Sequence, residues 1–361
     1  MQQTPLDTIL AGDCRSLLPQ LEAGSIDLVF ADPPYNLQLA QDLYRPNLTK
    51  VDAVEDGWDH FASFDEYDRF TLEWISGCQR VLKPTGALWV ISTYHSIFRI
   101  GRILQDLGFW ILNTVVWIKV NPMPNFHGVR FTNSHEILIW AQKSKGAHYT
   151  FNHHAMKALN DDLQMRSDWT LPLCTGKERL RSKGAKVHST QKPEGLLYRI
   201  LLASTNPGDV VLDPYFGSGT TGAVAKKLGR HFIGIEKEAA YIRAARARIR
   251  RIQPAPLPAV QLPEKRRQPR IPIGALLEAG LLSPGQTLIF ARKPEVTAIL
   301  LADGQLRCGQ LTGSIHSLAR QLLDGAPANG WDLWLYEDHG KKLAIDHLRH
   351  KIRIGGEEHE T

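Results

Sequence analysis

Apolar positions in the first 252 residues cluster into short continuous runs separated by stretches of helical period. The runs at 26–30, 87–91, 210–212 and 232–235 have the length and the Val/Ile/Leu/Phe content of strands buried on both faces. Segments 67–82 and 194–202 carry their apolar residues at helical spacing. This alternation predicts an α/β fold with a mostly parallel sheet, and ligands in such folds bind beyond the carboxyl ends of the strands. Ile242, Ala245, Ile249 and Ile252 recur at i, i+3, i+7 and i+10 and predict a helix whose other face carries Arg243, Arg246 and Arg250.

The pattern then breaks. Pro254, Pro256, Pro258, Pro263, Pro269 and Pro272 withhold backbone donors and disfavour helix before them, so 253–272 reads as an extended linker. Beyond it, 273–361 reads as a small α+β domain. Its expected elements are a helix at 273–279, strands at 286–291, 296–301 and 305–310, a helix after Ser314, a strand at 331–337 and a helix at 344–350. Trp331, Trp334 and Tyr336 would alternate on one face of that last strand as core residues. The expected organisation is a domain at 1–252, the linker and a domain at 273–361.

Composition fits two domains: 361 residues with 43% apolar content suffice for two cores and exclude a disordered chain. No apolar run reaches the roughly 18 residues of a membrane span, and the first residues lack a signal-peptide pattern, so a cytoplasmic, nucleoid-associated protein is expected. Cys14, Cys78, Cys174 and Cys308 are far apart without C-x-x-C spacing, which argues against a zinc site or a disulfide framework. The pairs His153-His154 and His347 with His350 lack a third ligand in the sequence, so no metal is expected. The net charge of +6 changes meaning when located: residues 230–270 hold eleven Lys or Arg against three acids, and the remainder is slightly acidic. An anionic partner meeting a basic hinge is implied.

Two motifs carry chemistry. In the first, the strand at 210–212 runs through Asp213-Pro214-Tyr215-Phe216-Gly217-Ser218-Gly219-Thr220-Thr221-Gly222 into a helix, and Glu236 ends the next strand. Gly217, Gly219 and Gly222 fit G-x-G-x-x-G, with a helix N-terminus for an anionic group and a carboxylate for ribose hydroxyls. A nicotinamide dinucleotide and S-adenosylmethionine both present those handles.

In the second, Asp32-Pro33-Pro34-Tyr35 follows the strand at 26–30. An exocyclic aromatic amine is a poor nucleophile because its lone pair is delocalised into the ring. Asp32 and the Pro33 carbonyl could accept its two hydrogens and aim that lone pair at a methyl sulfonium. Pro34 would stiffen the turn, and Tyr35 would stack a base taken out of a duplex.

Together these segments resemble the β-class adenine-N6 DNA methyltransferases, in which the catalytic motif precedes the cofactor loop. The resemblance extends over essentially the whole chain and is closer still to the CcrM-type cell-cycle methylases, through 31–39, 121–126 and 164–170. It implies a Rossmann-like core that uses S-adenosylmethionine, an appended methylase-associated domain, 5′-GANTC-3′ in double-stranded DNA as target, and a homodimer. Asp at position 32 implies adenine; Ser there is commoner for cytosine N4. The implied cofactor residues are Asp13, Cys14, Thr190, Lys192, Asp213, Phe216, Gly217, Gly219, Thr220, Thr221 and Glu236. Tyr215 stands where Phe is commoner in the family.

For DNA, the polar stretch 36–61 offers Leu39 and Leu43 as wedges and Arg45 and Lys50 for phosphate or base edges, with a dimer contact as the rival role. Regions 121–133 with Arg130 and 164–186 with Arg166 complete the expected recognition surface. Lys265, Arg266 and Arg267 in the linker, beside the basic helix, would track phosphates. The rival functions are a cytosine-N4 methyltransferase, a nicotinamide oxidoreductase and a non-catalytic DNA-binding regulator.

Overall fold

The computed structural model describes residues 5–37, 59–123, 129–182, 184–256, 259 and 271–357. The chain divides into two compact units, Met1–Pro263 and Glu264–Thr361.

The first unit is built on an eight-stranded sheet. Its strands are β1 (Thr8–Ala11), β2 (Ile26–Ala31), β3 (Leu82–Ser92), β4 (Trp110–Lys119), β5 (His135–Gln142), β6 (Asp168–Leu171), β9 (Val210–Asp213) and β10 (His231–Glu236); β7 (Arg181–Ser182) and β8 (Ala185–Lys186) form a separate small hairpin. The order across the sheet is β1-β10-β9-β2-β3-β5-β4-β6. Pairing is parallel from β1 to β3 and between β4 and β6, whereas β5 runs antiparallel to both β3 and β4.

Strand β2 explains the two-sided core. Leu28 and Phe30 face one layer with Trp89, Trp117 and Trp140, while Val29 and Ala31 face the other with Trp74, Leu88 and Val90. Both sets are buried, which is why β2 reads as a continuous apolar run rather than an alternating one. The helices of the first unit are α1 (Cys14–Leu17), α2 (Phe64–Val81), α3 (Ile97–Asp106), α4 (His153–Ala158), α5 (Glu194–Ser204), α6 (Thr220–Lys227) and α7 (Ala239–Arg250). Helices α2 and α3 cover one face; α5, α6 and α7 cover the other. Helix α2 starts three residues earlier than its apolar period suggests, because Ser63 caps it by accepting the Glu66 N–H.

Strand β2 lies between β9 and β3. Hence the segment after β2 and the glycine turn after β9 leave adjacent parallel strands at the same edge, where the order of the sheet places a ligand.

The second unit is a six-stranded antiparallel sheet in the order β14-β13-β12-β11-β15-β16. Its strands are β11 (Thr287–Phe290), β12 (Thr297–Leu300), β13 (Leu306–Cys308), β14 (Leu311–Gly313), β15 (Trp334–Asp338) and β16 (Lys341–Ala344). Helices Ile273–Glu278, Ile315–Leu322, Gly330–Leu333 and Asp346–Glu357 accompany it. Two expectations are corrected. Trp331 lies in the Gly330–Leu333 helix and not in a strand, because Asn329 caps that helix by accepting the Trp331 N–H. Residue 344 closes β16, so the final helix begins at Asp346. Trp331, Trp334 and Tyr336 nevertheless share one core.

Among the described residues, no helix is long and apolar enough to cross a membrane, and no group of His, Cys, Asp and Glu could hold a metal ion.

Candidate active site

One open cleft is lined by both sequence motifs. Its first half is the turn after β9. Gly217 and Gly219 adopt φ of +51° and +78°, the left-handed region that glycine enters without a Cβ penalty. Asp213 holds the turn by accepting the Thr221 hydroxyl at 2.6 Å and the Tyr215 N–H at 2.9 Å. Burial pushes its carboxyl up to about 7. Phe216 turns its ring into the core, stacks on Phe232 and fills the space beside Gly222 and Gly234. Thr220 donates to the Lys192 carbonyl and accepts from the Arg248 guanidinium.

Glu236, at the end of β10, accepts the N–H groups of Gly217 (2.7 Å) and Glu238 (2.8 Å), and burial raises its carboxyl above the usual range. Asp13 caps α1 and pairs with Arg15 at 2.9 Å, which holds its carboxyl low. The Cys14 thiol is pushed up to about 11 by burial, so it stays protonated and acts as packing. Thr190 lies near His188, whose ring meets that of Tyr241 at 4.6 Å.

The second half is the segment after β2. Tyr67 of α2 donates to the Pro34 carbonyl at 3.0 Å and fixes the diproline turn. Asp59 accepts the N–H groups of Asn36 and Leu37 at 2.7 and 3.1 Å, which stabilises the left-handed Asn36 (φ +53°) just past Tyr35. The Tyr35 hydroxyl lies 2.9 Å from Asp32 Oδ1 and 2.9 Å from Glu136 Oε2. Lys192 Nζ sits 3.1 Å from Asp32 Oδ2, 3.6 Å from Glu136 Oε2 and 5.1 Å from the centre of the Tyr35 ring. Lys119 Nζ reaches Glu136 Oε1 at 2.9 Å.

These neighbours separate the two carboxylates. Burial and the nearby Glu136 raise Asp32 despite Lys192. Burial would raise Glu136 too, but Lys192 and Lys119 together outweigh it and hold it below the usual range. Lys192, although buried, stays firmly protonated because it faces both acids. The two carboxylates are thus pushed in opposite directions, Asp32 toward the protonated form and Glu136 toward the ionised one.

The sequence-derived residues divide accordingly. Asp13, Cys14, Asp32, Pro33, Pro34, Tyr35, Thr190, Lys192, Asp213, Phe216, Gly217, Thr220, Thr221 and Glu236 all line the cleft. Gly219 lies beneath the turn, where a Cβ would come within 2.7 Å of Ala245. Lys192 was expected at the cofactor, yet its ammonium is bound to Asp32. Arg130 is exposed and donates to the Tyr94 hydroxyl; Arg166 is exposed and paired with Asp168. Leu39, Leu43, Arg45, Lys50, Lys265, Arg266 and Arg267 lie outside the described residues.

The sequence reading missed Glu136, Lys119 and Asp59. The available signal was a single acid, Glu136, among the apolar residues of β5.

Comparison with known proteins places this geometry. Residues 26–247 match the model of the N6/N4 DNA methylase family, and residues 256–354 match that of the Restriction Enzyme Adenine Methylase Associated family. The chain is 47% identical over 347 residues to the type II methyltransferase M.HinfI of Haemophilus influenzae, covering 96% of each protein. It is 43% identical over 243 residues to the type II methyltransferase M2.DpnII of Streptococcus pneumoniae, covering 67% of this chain and 88% of that one. The crystal structure of the M1.HpyAVI–SAM complex superposes with a TM-score of 0.50 at 29% identity over 67% of this chain and 98% of that one. The cytosine-N4-specific PvuII DNA methyltransferase gives 0.53 at 21% identity over 68% and 87%, a likeness of fold alone.

Fold and cleft thus define a Rossmann-like S-adenosylmethionine-dependent methyltransferase. The chain belongs to the DNA methylase family, and its substrate is DNA.

The residues present fit that cofactor. Gly217 leaves the cleft open where a Cβ would lie 3.2 Å from His188, and Asp13 and Glu236 bring two carboxylates to one end of it.

Proposed function

We propose that this protein is a CcrM-type, site-specific adenine-N6 DNA methyltransferase acting on 5′-GANTC-3′ in duplex DNA as a homodimer, with the target base flipped into the cleft. The observation that carries the reading is that Asp32 and Tyr35, on the segment after β2, line the same cleft as the glycine turn after β9. The GANTC target rests on the resemblance carried by 31–39, 121–126 and 164–170.

Glu236 and Asp13 hold the nucleoside half of S-adenosylmethionine, with Thr190 toward its methionine end. When bound, the cofactor supplies an electrophilic methyl on a sulfonium whose departure leaves a neutral thioether. Asp32 and the Pro33 carbonyl accept the two amine hydrogens and orient the nitrogen lone pair. Lys192 lies over the Tyr35 ring, so the base stacks on the opposite face, a contact worth about 1–3 kcal/mol. Pro34, tied to Tyr67, keeps this acceptor edge rigid. Asp32 then takes the proton that the methylated nitrogen loses. Arg130, Arg166 and the linker residues Lys265, Arg266 and Arg267 contribute DNA contacts.

The test is transfer of labelled methyl onto duplexes with GANTC intact or scrambled, followed by digestion to nucleosides and mass spectrometry. N6-methyladenine is expected in the intact duplex alone. N4-methylcytosine as the product, or equal labelling of the scrambled duplex, would overturn the assignment. Asp32→Ala should abolish transfer while DNA binding persists; transfer by that variant at the wild-type rate would remove Asp32 from the chemistry.

A further inference from the structure

Glu136 is the second residue of β5, opposite Trp117 of β4, and is only 7% exposed. A carboxylate there is costly unless it is paired. Its partners form a row of alternating charge: Asp32, Lys192, Glu136, Lys119. Two of its contacts are shared with Asp32. The Tyr35 hydroxyl has one proton and two carboxylates, each 2.9 Å away, and Lys192 divides between them at 3.1 and 3.6 Å.

From this sharing we infer that Glu136 is a positioning residue for methyl transfer: it draws part of Tyr35 and Lys192 away from Asp32, so that Asp32 keeps an oxygen basic enough to take the amine proton. The inference rests on the adenine-amine reading of the Asp32 site. In the step concerned, an N–H bond of the methylated amine breaks, its electron pair stays on nitrogen, and the proton forms an O–H bond on Asp32. Without Glu136, both donors would turn fully to Asp32 and occupy the lone pairs that the amine needs.

The groups that govern the titration can be named. Asp32 faces Lys192, Glu136 and Tyr35, with Asp213 of β9 as a further acidic neighbour. Glu136 faces Lys119 from β4, Lys192, Tyr35 and Asp32. Removing the charge of Glu136 favours ionised Asp32, whereas removing that of Lys119 disfavours it.

The experiment measures single-turnover methylation of a GANTC duplex against pH for wild type, Glu136→Gln and Lys119→Gln. In Glu136→Gln the acid limb should move down by about one pH unit, and the plateau rate should fall about tenfold, with the KM for S-adenosylmethionine unchanged. In Lys119→Gln the limb should move up. A purely structural role would lower the rates and leave both limbs where they are in wild type, and that result overturns the inference. If Glu136→Gln does not fold, the direction of the Lys119→Gln limb decides alone. A wild type that leaves adenine unmethylated defeats the underlying reading instead, while an active wild type with unmoved limbs defeats only this one.

Discussion

Asp213 and Asp32 stand at the ends of neighbouring strands, both carboxylates are raised by burial, and their neighbours give them different work. Asp32 has a lysine and an open cleft beside it. Asp213, which also lines the cleft, accepts the Thr221 hydroxyl and the Tyr215 N–H and holds the glycine turn. Its folded value of about 7 lies above the ordinary carboxylate value, so the native state keeps a proton that the unfolded chain has released. Stability from this group is complete below about pH 4 and is lost as pH rises to about 7, at roughly 1.4 kcal/mol per unit. Asp213→Asn removes that slope. Thermal unfolding should show the variant gaining on wild type from pH 4 to 7 and holding a constant offset above; an offset independent of pH would refute the assignment. At this scale, Asp32 through Tyr35 was legible in the sequence because its four residues are contiguous. Glu136 and Lys119 were not, because strand pairing brings them to the site from about a hundred residues away.

The helices and strands show what pattern alone can settle. The strands found from apolar runs are those buried on both faces. Strand β4 was missed because one side is largely exposed and it reads as a mixed segment, whereas β5, although buried on both faces, is an antiparallel insertion that belongs to no repeated β–helix–β unit. Helix α7 was legible from its apolar spacing, yet its arginines are not equivalent. Arg243, Arg246 and Arg250 are exposed, whereas Arg248 is buried and binds Glu194 at 2.8 Å and the Thr220 hydroxyl at 2.9 Å. Counting charge along a helix cannot separate a solvated arginine from one that locks α5 to the start of α6. Arg248→Ala should leave Thr220 and Glu194 short of a donor and cost about 2–4 kcal/mol in denaturant unfolding, while Arg243→Ala should change nothing measurable. Equal effects of the two would show that the Arg248 contacts carry no stability.

Across the whole molecule, the basic excess of residues 230–270 is divided by the fold into two kinds of cation. Arg230 is buried and spent on Thr205 and the Leu228 carbonyl, and Arg248 is spent within the core unit, so neither is available to a phosphate. We assign the DNA-facing share to the linker, where Lys265, Arg266 and Arg267 stand together in the sequence. Each phosphate they neutralise releases condensed counterions, which steepens the salt dependence of binding by about 0.9 in log–log slope. Changing all three to Gln should therefore reduce that slope by about 3 and weaken binding alike on GANTC and scrambled duplexes, because phosphates carry no sequence. The ratio of the two affinities should stay as in wild type. Binding isotherms over a range of salt concentrations decide it: an unchanged slope would move the phosphate contacts away from the linker, and a collapse of the ratio would mean that these residues read bases.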